Sequence, residues 1–309
     1  MAFAACGKRP ENGRRATPSD PGGAIELRLS SFNLRYENPG DKTWRAWPRR
    51  LQLLVTTVRK MAPDVMGVQE GLHGQIADLR ASLPDYAFAG IGRDDGRRRG
   101  EYSGIFWLRD RFEPDREDGG TFWLSDQPGQ PGSRTWGNTI PRVCAWQRLV
   151  DLRTGRGFYI FNTHWDHRHQ GSREHAALLI AKRIDERRRP DEPVVLLGDF
   201  NANEDNPAIA YLCGKTARLA GQNTAVRWRR ALLDTYTAIH GQPYDRRTLH
   251  FWTGRKDGPW KVDHIFASPG AKVLGAGITD LRRGGRMPSD HYPVWSRIVF
   301  PGSPPGTGG

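Results

Sequence analysis

The sequence has little cysteine, little lysine and no long apolar run, and each shortage excludes something. Three cysteines in 309 residues, Cys6, Cys144 and Cys213, are an odd number spread along the chain. No disulfide framework is implied, so the core must supply the stability. No window approaches the roughly 18 consecutive apolar residues of a membrane-spanning helix. With a mean hydropathy of −0.68 the chain reads as soluble, without a transmembrane segment. There is no G-x-S-x-G for a serine hydrolase and no G-x-x-x-x-G-K-[ST] for a nucleotide-hydrolysing P-loop. Lysine supplies 8 of the 47 basic residues and arginine 39, against 34 acidic residues, for a net charge of +13. A planar guanidinium fork suits phosphate and carboxylate, so an anionic substrate or surface is expected, with the composition of the source genome as the plain alternative.

What remains is 37% hydrophobic, enough for a sizeable core. Residues 1–24 lack apolar periodicity and read as a disordered arm, residues 302–309 read as a flexible tail, and nothing in 25–301 breaks the chain into two domains. Phe3-Ala4-Ala5-Cys6-Gly7 resembles the end of a bacterial lipoprotein signal whose apolar stretch is missing. The chain as written reads as cytoplasmic, or as an extracytoplasmic lipoprotein if the true start lies upstream of Met1. Alternation predicts a strand from Ile25 to Leu34, and Leu51, Leu54, Val55, Val58 and Met61 have helical spacing. Further strands are expected at 64–70, 103–108, 121–124, 142–151, 157–164, 194–197, 262–267 and 292–300. Helices are expected at 75–82, 172–188 and about 231–239. That order suggests layered α/β structure rather than a βαβ repeat.

Polar residues recur where these apolar strands stop: Phe32-Asn33, Gln69-Glu70, Asn162-Thr163-His164, Gly198-Asp199-Phe200-Asn201, Val262-Asp263-His264 and Ser289-Asp290-His291. Any one of them is explained by turn chemistry. Six together describe a rigid sheet presenting side chains to one cleft. Carboxylates and carboxamides suit a hard divalent cation, histidines suit proton transfer and phosphate contact, and hydrolytic phosphoryl transfer needs little more.

The ordered series SFNLRY, DVMGVQE, GEYSGIFW, NTHWDH, VVLLGDFN, KVDHIFAS and PSDHYPV, spanning about Leu27 to Phe300, resembles the endonuclease/exonuclease/phosphatase superfamily. GGTFWLSDQPGQPG and PRVCAW are similar to a bacterial subgroup of metal-dependent hydrolases within it. The resemblance implies a four-layer α/β/β/α sandwich of the DNase I-like kind and a phosphate-ester substrate. It places Asn33 and Glu70 at a Mg²⁺ site (Mn²⁺ being the alternative), Glu70 as principal ligand, with Asp290 as ligand or ligand support. Asp199 with Asn201 would hold or deprotonate the attacking water. His291, oriented by Asp263, would complete the acid/base apparatus, and His164 would contact the scissile phosphate or assist the leaving group. Tyr102 and Arg142 are carried over only as cleft residues toward the substrate.

His164 stands where abasic-site endonucleases have a tyrosine-containing segment, and KVDHIF lacks the PAWCDRIL-type run of inositol 5-phosphatases. Nuclease, sphingomyelinase-like diesterase and phosphatase activities stay open. His164, Asp166, His167 and His169 give His-x-Asp-His-x-His, whereas a metallo-β-lactamase-type zinc site requires His-x-His-x-Asp-His. Basic clusters at Arg97-Arg98-Arg99, Arg187-Arg188-Arg189, Arg227 with Arg229-Arg230, and Arg282-Arg283-Arg286, with Trp228, Trp252 and Trp260 for stacking, offer a track for a nucleic-acid backbone. A monomer with no obligate protein partner is expected. A binding module that has lost turnover is the non-enzyme alternative, opposed by the presence of every expected site residue.

Overall fold

The computed structural model describes residues 18–241 and 246–302. Of the expected arm, residues 1–17, with the lipoprotein-like Phe3 to Gly7 segment, lie outside the described residues, as do 303–309 of the tail. Residues 18–24 lie against the body: Asp20 N–H and Gly22 N–H donate to the carbonyls of Arg153 and Thr154 at 2.8 and 2.9 Å.

The strands in chain order are β1 (Ile25–Asn33), β2 (Val65–Gly71), β3 (Tyr86–Ala89), β4 (Tyr102–Leu108), β5 (Phe112–Trp123), β6 (Val143–Asp151), β7 (Gly157–His164), β8 (Val194–Asp199), β9 (Leu233–Asp234), β10 (Asp263–Ala267), β11 (Lys272–Ile278) and β12 (Val294–Phe300). The helices are α1 (Trp47–Met61), α2 (His73–Ser82), α3 (Gln170–Asp185), α4 (Pro207–Leu212) and α5 (Thr235–His240). One six-stranded sheet has the order β11-β12-β1-β2-β4-β3 and the other β5-β6-β7-β8-β10-β9.

Three apolar clusters assemble these elements into four layers. Between the sheets, Leu27, Leu29, Val65 and Ile105 meet Phe158, Ile160, Val195 and Leu197. Outside the first sheet, Leu54, Val58, Ile76 and Leu79 of α1 and α2 pack on Phe32, Met66, Val68 and Phe106. Outside the second, Ala176, Ala177 and Ile180 of α3 and Ile209 of α4 pack on Tyr159, Phe161, Val194 and Leu196. Each such fully buried aliphatic side chain contributes about 1.5–3 kcal/mol. The fold is the four-layer α/β/β/α sandwich.

Strand direction decides where function can sit. β1 and β2 run parallel, and so do β7 and β8. β12 opposes β1, β4 opposes β2, and β10 opposes β8. The C-terminal ends of β1, β2, β7 and β8 and the N-terminal ends of β4, β10 and β12 therefore gather at one edge of the sandwich, which is where the polar strand terminations fall.

Just beneath that edge the sheets are joined by hydrogen bonds. Asn162 Nδ2 donates to the carbonyls of Val68 and Gly104 at 2.9 and 2.7 Å, and its Oδ1 accepts from Gln69 Nε2 at 2.7 Å. Gly67 makes room for this: a Cβ there would lie 2.0 Å from Leu197 Cδ1 and 2.7 Å from Asn162 Oδ1. Asn162→Ala takes a donor from two buried carbonyls and one acceptor from the Gln69 amide, which keeps only Ser31 Oγ at 3.1 Å. We expect a loss of about 2–4 kcal/mol, from the cost of unpaired buried polar groups. A urea midpoint within error of the parent would contradict this.

Four elements differ from the sequence expectation by being present at all, among them β9 at Leu233–Asp234, which pairs with β10 and takes the start of the helix expected at about 231–239, so that α5 begins only at Thr235. β3 and β11 are edge strands, and α4 is a six-residue helix capped by Asn206 Oδ1, which accepts from Ala208 N–H at 3.0 Å. β5 is longer than 121–124, because its charged middle crosses an irregularity in register between Pro114 and Gly119.

Candidate active site

Asn33, the last residue of β1, is fully buried, and its Nδ2 donates to Glu70 Oε1 and to Asp199 Oδ2, both at 2.9 Å. Glu70 can meet it because the β2–β4 register slips between Val68 and Gly71. Glu70 there adopts a left-handed backbone (φ 64°), a conformation that costs a non-glycine residue of order 1–3 kcal/mol and is found where a side chain must be aimed. Its Oε2 accepts from Tyr36 N–H at 3.1 Å.

Asp199 ends β8, where Gly198 lets the strand press against β7: a Cβ at that glycine would stand 2.1 Å from the Thr163 carbonyl oxygen. Asp199 Oδ1 accepts from Asn201 N–H at 2.9 Å, and Asn201, also left-handed (φ 47°), donates from Nδ2 to the Trp165 carbonyl at 3.0 Å. Burial, reinforced by the charge of Asp263, raises the Asp199 carboxyl to about 7, against the pull of His291 and the Asn33 and Asn201 hydrogen bonds.

Across the ladder, Asp263 pairs in register with Asp199 and turns its Oδ2 to His291 Nδ1 at 2.9 Å. His291 Nε2 lies 3.8 Å from Asp199 Oδ2. Burial alone would hold this imidazole down, but the carboxylates of Asp263, Asp199 and Asp290 raise it to about 10, so it is a cation at neutral pH. His164, ending β7, is the opposite case. Its Nε2 is 3.5 Å from Asp199 Oδ2 and its Nδ1 3.7 Å from Glu101 Oε2, while burial and the Arg142 and Arg93 charges push it well below its ordinary value. One histidine is charged and the other neutral, on either side of one carboxylate.

Asp290 lies with its Oδ2 3.6 Å from Arg35 Nη1, and its carboxyl is raised by burial and by Glu70 against His291 and Arg35. Glu70, His164 and Asp199 each turn a ligand-type atom to within 4.8 Å of the others, as do Asp199, Asp263 and His291. The structure thus gathers Asn33, Glu70, His164, Asp199, Asn201, Asp263, Asp290 and His291 at one edge.

The two remaining residues differ. Arg142 is buried, donates from Nη2 to His167 Nδ1 at 3.0 Å, and leaves Nε and Nη1 without a hydrogen-bond partner among the described residues. Tyr102 is tied down instead: its hydroxyl donates to the Arg97 carbonyl and meets His73 Nδ1, each at 3.0 Å. Glu101 and Arg93 belong to the site and were not singled out from sequence. Arg93 grips Glu101 through two bonds of 2.6 and 2.8 Å, and burial raises Glu101 to about 7, with Arg93 opposing and Glu70 adding. An acidic residue directly before β4, at the same edge as the other terminations, was the available signal.

The zinc-like histidine run disperses: Asp166 caps the N–H groups of Arg168 and His169, His169 caps Ser172, and His167 faces Arg142. His264, next to Asp263 but on the other face of β10, joins Asp234 and Lys261 at 2.7 and 2.9 Å. Lys261 Nζ also lies 2.8 Å from Glu204 Oε1, so an ammonium already occupies this second acidic group. Of the basic clusters, Arg97–Arg99 adjoins Tyr102, and Arg282 reaches Gly254 and Tyr292 next to His291. The Arg187 and Arg230 clusters bond around Pro190, ahead of β8 at the opposite edge. Trp228 is buried against Asp185 and unavailable for stacking, whereas Trp260 is exposed.

Residues 30–291 match the model of the endonuclease/exonuclease/phosphatase family. An endonuclease/exonuclease/phosphatase from Bacteroides vulgatus superposes with a TM-score of 0.79, at 30% identity over 89% of this chain and 98% of that one. A mannosyl-6-phosphatase from Bacteroides thetaiotaomicron gives 0.77, at 31% identity over 89% of this chain and all of that one, 100%. The human Nocturnin catalytic domain, 18% identical over 94% of this chain and 99% of its own, shares the fold with a TM-score of 0.65. An uncharacterized protein of Acanthamoeba polyphaga mimivirus is 26% identical over 165 residues, 51% of this chain, and the match spans 60% of that relative's length. The chain belongs to the endonuclease/exonuclease/phosphatase family, whose members are phosphoester hydrolases.

Proposed function

We propose that the 25–301 body hydrolyses phosphate esters by metal-assisted attack of water on phosphorus. The observation that carries this reading is the single Asp199 carboxylate held between a neutral His164 and a cationic His291, beside the Glu70–Asn33 pair. The donor set fits a hard divalent cation, Mg²⁺ or Mn²⁺. Glu70, Asp290 and Asn33 offer oxygen ligands and no thiolate, and Glu70 and Asp290 crowd like charges that a cation would neutralise. Bound there, it would supply charge neutralisation at the phosphoryl oxygens.

The chain's own groups divide the remaining work. Asp199, raised to about 7, is matched to take a proton from water near neutral pH, and Asn201 fixes its orientation. We read Asp199 as the base, because the carboxylates around His291 favour its protonated form. The His291 imidazolium, held by Asp263, faces the charge that develops on phosphorus. His164 and Arg142 offer donors to the phosphate.

The Bacteroides mannosyl-6-phosphatase makes a hexose phosphate the first substrate to try. The Arg97–Arg99 and Arg282 clusters, at the same edge as the site, favour a nucleic-acid backbone as the second reading. A panel of hexose 6-phosphates, bis-p-nitrophenyl phosphate, DNA, RNA and sphingomyelin decides between monoester and diester. EDTA is expected to reduce turnover to background on whichever substrate reacts, with Mg²⁺ or Mn²⁺ restoring it. Full activity in EDTA would remove the metal from this reading.

A further inference from the structure

Among the described residues Arg50 is the largest charged side chain that the fold buries completely, at 1% exposure in the first turn of α1. Burial lowers it to about 10 even though the charges of Asp290, Asp41 and Glu70 work the other way, so placing a cation there is costly. No carboxylate lies within ion-pair range among the described residues. All of its hydrogen bonds go to carbonyl oxygens. Nη1 donates to Leu34 and Pro288 at 2.8 and 2.7 Å, Nη2 to Arg35 at 3.0 Å, and Nε to Arg45 at 2.6 Å. The Trp47 and Trp252 rings each lie 5.4 Å from the guanidinium carbon.

The identity of those carbonyls matters. Leu34 and Arg35 directly follow Asn33, and Pro288 stands two residues before Asp290. The β1–β12 ladder that brings these segments together stops at Ser31 and Val294. Beyond it, the ends carrying Asn33 and Asp290 are tied by the Arg50 fork and by Ser289 Oγ, which donates to the Asn33 carbonyl at 2.7 Å. A planar guanidinium reaches several carbonyls in fixed directions, which an ammonium of similar charge does not. Backbone oxygens on two separate loops are thereby held at a set spacing.

We propose that Arg50 is a positioning residue that fixes the gap between Asn33 and Asp290, and through it the affinity of this edge for a divalent cation. The proposal rests on the metal reading above. Its test is Mg²⁺ binding by the full chain in calorimetry, with the metal-free melting temperature recorded for wild type, Arg50→Lys, Arg50→Gln and Ser289→Ala. The expected result is a folded Arg50→Lys whose Mg²⁺ dissociation constant rises at least about tenfold, with turnover at saturating Mg²⁺ recovering to within about fivefold of wild type. Ser289→Ala should weaken binding about threefold. Wild-type Mg²⁺ affinity in a folded Arg50 variant overturns the proposal, as does wild-type affinity in Ser289→Ala if no Arg50 variant folds. A wild type that binds no Mg²⁺ removes the metal reading and this proposal with it.

Discussion

Glu70→Ala and Asp199→Ala should each lower kcat by at least about a thousandfold, a loss near 4 kcal/mol in the barrier. The two losses have different origins. Without Glu70 the edge keeps Asp290 and Asn33 but no longer has its best-placed oxygen ligand, so the loss should be partly recovered at high Mg²⁺. Without Asp199 no carboxylate remains between His164 and His291, and added metal should recover nothing. Neither variant should unfold. Glu70 sits in a left-handed backbone that alanine tolerates no worse, and its charge helps raise Asp290 and Glu101. Removing it relieves that repulsion but also takes an acceptor from Asn33 Nδ2 and Tyr36 N–H, so the metal-free melting temperature should stay close to that of the parent. Steady-state kinetics across a Mg²⁺ series, with thermal melts beside them, test both claims. Near-normal turnover in either variant would sink the site assignment.

Much of this edge was legible because strand ends carry two signals at once: an apolar run that fixes the strand and a polar residue where the run stops. Asn33, His164 and Asp199 end β1, β7 and β8 just where the alternation or apolar run gives out. Glu70 was legible as a residue, but its left-handed turn was not, since that depends on the register slip against β4. His264 shows the limit of the pattern. It adjoins Asp263 in sequence, yet successive strand residues face opposite ways, and it belongs to the Lys261 group. Glu101 and Arg50 were missed because what makes them part of the site is a partner far along the chain, His164 for Glu101 and Pro288 for Arg50, and Arg93 enters only through Glu101. The unforeseen strands share a cause as well. β3 is four residues of YAFA, all half-buried, and β11 holds two glycines, so each exists through pairing with a neighbour rather than through its own propensity.

Asp263→Asn should be nearly as damaging as the loss of Asp199 while changing almost no volume. Asp263 Oδ2 lies 2.9 Å from His291 Nδ1, and its charge is the largest influence holding that buried imidazole protonated to about 10. With an amide in its place, burial becomes the dominant influence and the proton is lost at much lower pH. The amide also has no charge with which to fix the tautomer, and in a comparable acid/base pair that defect alone costs several orders of magnitude. We expect kcat to fall on the order of a thousandfold at pH 8, about 4 kcal/mol. The pH profile should carry the diagnosis. In the parent, activity is expected to rise as Asp199 loses its proton near 7 and to fall as His291 loses its own near 10. In Asp263→Asn the falling limb should move to lower pH and narrow the profile. Stability follows the same linkage: a raised imidazole pKa contributes fully below the unfolded value and fades as pH climbs toward 10. Thermal melts of parent and variant should therefore differ most at pH 6 and converge above pH 10. An unchanged basic limb in a folded variant would show that His291 does not act as the protonated partner of Asp199.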